Sequence, residues 1–522
     1  MDLNTVLHFL VTISCCSIGL RTLISRNNWG WLLVALGILI IMGTSHYFLP
    51  QQSGLIGGIF WLIFILIPII GLGQVNRLVY QEHFGKARGI AIILSWLHPG
   101  DGWQKQPQFL KVLALIQKGE IETANTILNR DLNHPNYGFH HTAKALQFRI
   151  EANWNDCLSW LQKEIPDSVL WRSPTLATLY LRSLGEVGDL NGLVGIFQAR
   201  QNQIKNLGSS IPINLARLYV FAFLGEVREV KKLLGSTLKV YPQNLQMFWL
   251  ATAQMALGNR QEGKNLLLKI REKDIALENA IVHRLSNRLA KVNQTLNPEY
   301  LPLINIIKTD LNQEINYGSA VSITPSKANL TYSLMLINVL VFILEITQGG
   351  SQNLETLARL GAAIPKEIVS GEPWRVFTAN FLHFGYIHLI SNMLGLWILS
   401  PYVEFYLGWF RYLIVYFFSG IGAISLFAAL AIFTGREDDL LVGSSAAIMG
   451  LMGATFMILW RGWRQEKSKL AQEKLQLVTI IILLQVGFDF SVANVSFLGH
   501  FFGLILGIIS TFMILLIGQK NN

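Results

Sequence analysis

The chain has 522 residues, of which 51% are hydrophobic and only 14% are charged. This composition excludes an ordinary soluble enzyme and favours a polytopic membrane protein with more than one domain. The formal net charge of +10 is interpreted as the excess of Lys and Arg that marks cytoplasmic loops, so nucleic acid is not expected as a partner.

Three apolar runs open the chain, at about residues 6–24, 31–49 and 54–74. Each is close to the ~20 residues that cross a bilayer as a helix. The first connection contains Arg21 and Arg26, whereas the second, Ser45 to Ser53, has no Lys or Arg. The positive-inside rule then places residue 1 outside and residue 80 in the cytoplasm. Because no basic region precedes the first run, we expect residues 1–79 to be a retained membrane anchor of three helices.

Residues 80–312 carry polar and apolar positions at helical spacing without a spanning run, which predicts a soluble, cytoplasmic helical domain. Short turns recur within it at about 33 to 37 residues, the period of tetratricopeptide-like repeats. They lie at Lys118, Asn153, Gly188, Gly225 and Gly258. The pattern favours a soluble α-solenoid with a concave surface for a peptide or protein adaptor. An irregular helical bundle is the alternative.

A polar segment follows at residues 313–329 and is interpreted as a linker. Residues 330–522 then return to spanning length and composition. Candidate spans lie at about residues 330–346, 386–402, 411–433, 445–460, 475–490 and 497–517. The basic segment from Arg461 and the acidic segment from Arg436 to Asp439 fall on opposite sides, which agrees with the positive-inside rule.

Four polar residues fall within these spans, where polar groups are expensive and indicate a site or a buried partner. Ser445 begins one span and His500 lies early in another, so they are candidates for a nucleophile and its general base. His388 and Asn392 are four residues apart and share one helix face. Together with a backbone N–H near the serine, they are candidate donors for an oxyanion.

Glycines near the serine and the histidine allow helices to approach closely. They are Gly443, Gly450, Gly453, Gly503 and Gly507, of which the last two form a GxxxG motif after His500.

Several segments resemble rhomboid proteases. They are LINVLVFILE from Leu336, the run from Leu360 to Ser400 with its Trp374–Arg375 pair, GSSAAIMG from Gly443 and GHFFGLILG from Gly499. Their order and spacing cover about residues 330–517. The chain is therefore identified as an all-α, polytopic membrane protein with a six-helix core that resembles the rhomboid family, preceded by three predicted transmembrane helices and the α-solenoid.

The resemblance implies an intramembrane serine endopeptidase that cuts transmembrane proteins within the lipid bilayer through a dyad of Ser445 and His500. It also implies that His388, Asn392 and the backbone at Ser444 form the oxyanion hole, and that Trp374 and Arg375 belong to a structural loop. Two positions depart from the family pattern. Ala446 follows the nucleophile where Gly is common, and Met449 replaces a frequent aromatic.

The same residues are compatible with two other functions. A catalytically inactive rhomboid-like protein that binds membrane segments is the main alternative, and a transporter is the third. No metal is expected, because His383 and His388 lack an HExxH context and an acidic third ligand. Asp489 does not indicate an aspartyl protease, since a second membrane aspartate is missing. Glu345, Glu372 and Glu404 are interpreted as interfacial.

The mechanism implied by the resemblance needs no cofactor, and three cysteines with Cys15 and Cys16 adjacent do not indicate redox chemistry. Since no organelle-type transit peptide is recognised, the expected location is a bacterial inner membrane.

Overall fold

The protein is helical throughout the residues that the structure describes. In this computed structural model they are residues 3–25, 28–98, 100–131, 139–207, 209–271, 274–286, 289, 296–318, 328–491 and 496–519. Within them there is no strand, and the only β-type contact is an isolated antiparallel bridge between Ala363 and Leu441. The all-helical class predicted from the sequence is confirmed. The chain divides into two compact units, residues 2–309 and residues 310–522.

The first unit begins with α1 (Leu3–Ser25), α2 (Trp29–Phe48), α3 (Ser53–Trp61) and α4 (Ile67–Tyr80). A π-helical turn, Leu62–Leu66, joins α3 to α4 in one continuous rod. Pro68 in the first turn of α4 has no N–H to donate to the preceding turn, which accounts for the widened helix there. The Asn4 side chain accepts hydrogen bonds from the backbone N–H of Gly54 and Leu55 at 2.7 and 3.2 Å, which fastens α1 to α3.

The first unit continues as a series of helices, the last of which begins at residue 301 and ends in the second unit. They are α5 (Phe84–Leu97), α6 (Gln106–Gln117), α7 (Ile121–Asp131), α8 (Phe139–Glu151), α9 (Trp154–Lys163), α10 (Asp167–Leu170), α11 (Pro174–Val187), α12 (Leu190–Lys205), α13 (Ile211–Phe223), α14 (Val227–Gly235), α15 (Gln243–Leu257), α16 (Arg260–Leu268), α17 (Ile275–Ser286) and α18 (Leu301–Tyr317). Each of the five turns predicted from the sequence falls between two of these helices.

These helix pairs stack through their first members, because α13 packs on both α11 and α15. Gly225, in the turn after α13, has a φ of +74°, and a Cβ there would lie 2.8 Å from the backbone nitrogen of Leu257. Only glycine combines this left-handed conformation with such a close approach. Stacked helical pairs are what a solenoid requires; the tetratricopeptide-like assignment itself stays a prediction.

The expected linker overlaps a helix at its beginning. α18 continues to Tyr317, beyond residue 312, and the next helix begins at Asn329. Residues 319–327, in the middle of the expected linker, lie outside the described residues. Tyr317 is fully buried in the second unit, where a Cβ on Gly462 would lie 2.6 Å from its ring.

The second unit is built from six long helices and three short ones in its described part. They are α19 (Asn329–Thr347), α20 (Leu354–Leu360), α21 (Pro365–Val369), α22 (Arg375–Thr378), α23 (Tyr386–Leu407), α24 (Trp409–Phe433), α25 (Ser445–Arg464), α26 (Lys469–Ser491) and α27 (Phe497–Gln519). α25 is the central helix, since it packs on α23, α24, α26 and α27 and 78% of its spanning window is buried. Its small residues let four neighbours approach it closely.

Seven helices in the described part of the chain are long and apolar enough to cross a membrane. They are Trp29–Phe48, Ser53–Tyr80, Asn329–Thr347, Trp409–Phe433, Ser445–Arg464, Lys469–Phe490 and Phe497–Ile517. The sequence predicts two more spans. In the described part of α1 the apolar stretch is Leu10–Leu23, which is shorter than a membrane span. α23 has 22 residues and is long enough, but it carries His388, Asn392 and Glu404, which lower its mean hydropathy.

Candidate active site

The candidate nucleophile lies at the first residue of the central helix. Ser445 begins α25 and is half-buried, while Ser444 before it is fully buried. The preceding turn is held from two sides. Gly443 donates its backbone N–H to the carbonyl oxygen of Ala379 at 2.8 Å, and Leu441 exchanges two backbone hydrogen bonds with Ala363 at 2.9 and 3.0 Å. The position of the serine is therefore set by backbone contacts with the loop between α19 and α23.

The candidate base is brought to the same end of the molecule by a seam of glycines between α25 and α27. A Cβ on Gly503 would collide with the backbone of Ala446, and one on Gly507 would collide with the backbone of Gly450. The two helices run parallel, because residues 446 and 450 face 503 and 507 in the same order. His500 lies one turn before Gly503, and Ser445 directly precedes Ala446. Both therefore lie at the beginning of their helices.

Two further glycines of α25 widen this seam. A Cβ on Gly450 would collide with the side chain of Ser419 on α24. A Cβ on Gly453 would lie 3.1 Å from the backbone nitrogen of Ile508. The central helix is thus in near-backbone contact with α24 and α27, as small residues allow.

Donors converge on the turn before Ser445. Gly443 has a φ of +120°, and a Cβ on it would lie 2.7 Å from Nε2 of His388 and 3.4 Å from Nδ2 of Asn392. The backbone N–H of Phe384 donates to Nδ1 of His388 at 3.3 Å. A neutral imidazole that accepts at Nδ1 carries its proton on Nε2, so His388 presents a donor to this turn. Asn392 is 6% exposed, and its Nδ2 has no hydrogen-bond partner within the described residues.

His500 is oriented by the carboxylate of Asp489, for which the sequence predicted no role. Its Nδ1 lies 2.8 Å from Oδ2 of Asp489 on α26, and the Asp489 side chain is 2% exposed. Ser445 and His500 make no direct side-chain hydrogen bond in the part of the chain that the structure describes. The sequence signal for Asp489 was a lone acidic residue near the end of an apolar span, but its relation to His500 depends on how α26 returns to α27.

Trp374 and Arg375 form a separate cluster in the loop before α23. The Arg375 guanidinium donates to the Glu372 carboxylate at 2.6 Å and to the carbonyl oxygens of Ala358 and Ala362 at 2.6 and 3.0 Å. It also lies 5.0 Å from the ring centroid of Trp374. This pair fastens α20 to α22, since one planar cation satisfies several acceptors at once.

Two glutamates interpreted as interfacial are in fact buried. Glu345 is fully buried and accepts from the backbone N–H of His383 at 2.9 Å. Glu404 accepts from the backbone N–H of Leu330 and Thr331 at 3.1 and 3.0 Å, which caps the beginning of α19. Their carboxylates hold the loop and the first helix of the unit, because a buried carboxylate needs such donors.

His383 lies behind His388, with 5.3 Å between the ring centroids. Burial, followed by the neighbouring His388, lowers the pKa of His383 to about 3. His383 is therefore neutral at physiological pH. Within the described residues no group of three or more His, Cys, Asp or Glu side chains is placed to hold a metal ion.

Sequence comparisons agree with this architecture. A family profile described as Rhomboid domain matches residues 370–517. The chain is 35% identical over 182 residues to rhomboid protease GluP of Bacillus subtilis, covering 35% of this chain and 34% of that protein. It is 37% identical over 167 residues to RHOMBOID-like protein 6, mitochondrial, of Arabidopsis thaliana, covering 32% and 52%. It is 33% identical over 148 residues to putative rhomboid protease YdcA of Bacillus subtilis, covering 28% and 69%.

The chain thus spans about a third of the length of the first relative and about half of the second. Another relative is named inactive RHOMBOID-like protein 8, from Arabidopsis thaliana. No solved structure matches.

The fold and the spanning helices define an all-helical integral membrane protein. The chain belongs to the rhomboid family, as its motifs predicted.

Proposed function

We propose that this protein is an intramembrane serine endopeptidase with Ser445 as nucleophile and His500 as general base. The observation that carries the proposal is the glycine seam, which gives Ala446 and Gly503 backbone contact and so brings the serine and the histidine to one end of α25 and α27. His388 and Asn392 place hydrogen-bond donors at the turn before Ser445, which is the second element that acyl transfer requires.

The reaction follows from these positions. The hydroxyl oxygen of Ser445 attacks the peptide carbonyl carbon, and its proton passes to Nε2 of His500. The resulting oxyanion accepts hydrogen bonds from Asn392, from His388 and from the backbone N–H groups at Ser444 and Ser445. The peptide C–N bond then breaks, and His500 returns the proton to the leaving amine. Water, activated by the same imidazole, hydrolyses the acyl-enzyme and restores Ser445.

The absence of a direct hydrogen bond between Ser445 and His500 is compatible with this role. Catalytic hydrogen bonds are often long without substrate and tighten in the complex. A rotation of the serine side chain about its Cα–Cβ bond changes the position of the hydroxyl without moving the helix.

The substrates that fit this site are transmembrane proteins whose chain enters the active site from within the lipid bilayer. The acidic segment before α25, with Glu437, Asp438 and Asp439, lies on the outer side, and Arg461 and Arg464 at the end of α25 lie on the cytoplasmic side. Ser445 therefore lies nearer the outer surface, and water reaches it from that side.

The first unit has a binding role in this proposal. Residues 1–79 anchor it, residues 80–312 form a cytoplasmic tetratricopeptide-like domain, and residues 313–329 connect it to the protease domain, residues 330–522. An adaptor or a cytoplasmic substrate segment bound to the repeats would raise the local substrate concentration at the membrane. The host membrane is the bacterial inner membrane in this proposal, and the plant relatives name a eukaryotic membrane as the alternative.

The test is cleavage of a single-span reporter in liposomes by the intact protein and by Ser445→Ala, together with labelling by a fluorophosphonate probe. We expect both cleavage and labelling to disappear in the variant. Ser425→Ala is the matched control, because Ser425 is exposed on α24 and its hydroxyl bonds only the carbonyl of Ile421 in its own helix. Cleavage that persists in Ser445→Ala would overturn the nucleophile assignment.

A non-cleaving rhomboid that binds membrane segments is the second candidate. It is favoured by the lack of a Ser445–His500 hydrogen bond among the described residues and by Ala446, which departs from the family pattern next to the nucleophile. It predicts that the intact protein neither cuts nor reacts with the probe, yet still co-purifies with the reporter.

A further inference from the structure

Asp489 is a buried acid in an apolar environment whose two carboxylate oxygens are both engaged. Oδ2 lies 2.8 Å from Nδ1 of His500, and Oδ1 accepts from Nε2 of Gln485 at 2.8 Å. Gln485 lies one turn earlier on the same helix, so it steadies the carboxylate from behind. A buried carboxylate is expensive in a membrane protein unless it is paired, and here the partner is the proposed catalytic base.

The end of α26 is fixed against the beginning of α27 by aromatic packing. The Phe490 and Phe497 ring centroids are 4.5 Å apart, and those of Phe497 and Phe501 are 5.9 Å apart. Phe490 directly follows Asp489, and Phe501 directly follows His500. The distance between the carboxylate and the imidazole is therefore held by packing on both sides of the pair.

The pair also fixes the state of the imidazole. A carboxylate only accepts hydrogen bonds, so Nδ1 of a neutral His500 carries the proton and Nε2 is left as the acceptor. An acceptor at Nε2 is what the removal of a proton from Ser445 requires. When the imidazole gains that proton, the adjacent negative charge stabilises the cation.

We propose that Asp489 is a positioning residue for His500. Its carboxylate holds the orientation and the tautomer of the imidazole, and the imidazole acts as the base for Ser445. The inference rests on the proposed protease function. Asp489 itself touches neither substrate nor the reacting atoms.

The other ionisable groups around His500 do not supply this contact. His388 on α23 interacts electrostatically with His500, and His383 lies behind His388. The charged residues of α24 and α25, namely Arg411, Arg461 and Arg464, lie at the opposite ends of those helices. On the outer loop Arg436 pairs with Asp439 at 2.6 Å; Arg436 is exposed and Asp439 is half-buried. Residues 492–495 contain no ionisable side chain.

The test compares Asp489→Asn and Asp489→Glu with the intact protein in the liposome assay. In Asp489→Asn the amide cannot accept from both Gln485 and His500, so we expect kcat to fall by about 10² to 10⁴-fold with KM little changed, as in soluble triads. Asp489→Glu, which keeps a carboxylate acceptor for Nδ1 of His500, should recover part of the rate.

Glu404→Gln is the matched control. Glu404 is also a buried acid with several hydrogen bonds, but it caps α19 at the other end of α23 from His388. We expect Glu404→Gln to lower stability while the folded protein keeps its kcat, which separates positioning of His500 from the general loss of a buried acid.

A second measurement does not depend on the variants folding. In protein labelled with ¹⁵N-histidine, with the His500 signal assigned by comparison with His500→Gln, we expect a neutral imidazole protonated at Nδ1. Protonation at Nε2, or an unchanged kcat in Asp489→Asn while Ser445→Ala is inactive, would overturn the inference and leave the protease function standing. If the intact protein neither cuts nor labels, both proposals fall together.

Discussion

The glycine seam predicts that one methyl group between α25 and α27 is enough to disable the site. In Gly503→Ala the new Cβ meets the carbonyl oxygen, the carbonyl carbon and the Cα of Ala446, the last two at 2.9 and 3.1 Å. These are backbone atoms in the most enclosed helix of the unit, so they cannot swing away as a side chain would. The helices must instead separate by about 1 Å.

Two effects of this separation are expected. Overpacking of this kind costs about 1 to 3 kcal/mol of folding free energy. A shift of about 1 Å between reacting groups lowers the rate by about 10²-fold. Because Ser445 and His500 lie on the two helices that separate, we expect kcat of Gly503→Ala to fall by about 10²-fold even under conditions where the variant remains folded.

The assay is reporter cleavage in liposomes, with thermal unfolding measured on the same preparation. Gly487→Ala is the control, since a Cβ on Gly487 meets nothing within 4 Å. Alanine is the better helix former by about 1 kcal/mol, so this variant should be as stable as the intact protein or more so. If Gly503→Ala matches Gly487→Ala in both stability and rate, the packing argument for the site is wrong.

Three further predictions follow from the same unit. Asn392→Ala removes a buried donor next to Gly443 and should lower kcat by about 10²- to 10³-fold, with little change in thermal unfolding. An unchanged kcat would exclude Asn392 from the oxyanion hole. Arg375→Lys cannot satisfy Glu372 and the two loop carbonyls together, so thermal unfolding should show a loss of about 1 to 3 kcal/mol. The pKa of His383 is about 3 in the folded protein and 6.5 without burial; the unfolded chain therefore binds the extra proton, and stability should fall as the pH drops from about 6.5 towards 3. His383→Gln should flatten that pH dependence, and an unchanged slope would assign it to other groups.

Much of this architecture follows from local patterns in the sequence. Continuous apolar runs of spanning length predicted the long helices of the second unit, and glycine-containing turns predicted the breaks between the helices of the first. The spacing of Gly503 and Gly507, one turn apart, predicted a close helix contact. A GxxxG motif does not indicate which helix it faces. Only the structure pairs them with Ala446 and Gly450.

The buried acids could not be assigned in the same way. Glu404 and Thr331 are 73 residues apart, so the cap that Glu404 provides for α19 is a tertiary contact without a local signature. Glu345 was interpreted as interfacial because it lies near a helix end, yet it is fully buried against the His383 backbone. The sequence offered no second membrane aspartate to pair with Asp489, and in the structure the partner of Asp489 is His500. Position along a span predicts the depth of a residue, but not the direction of its side chain.

The order of the helices determines when the proposed active site can form during synthesis. Ser445 enters the membrane with α25, whereas Asp489 and His500 arrive with α26 and α27, which are synthesised later. A ribosome-bound chain that has inserted only as far as α25 carries the proposed nucleophile without its base, and the seam that aligns them does not yet exist. Under the proposed function, the nascent protein therefore has no activity until α27 has docked on α25. Truncation before that helix should yield an inert product rather than an unregulated protease.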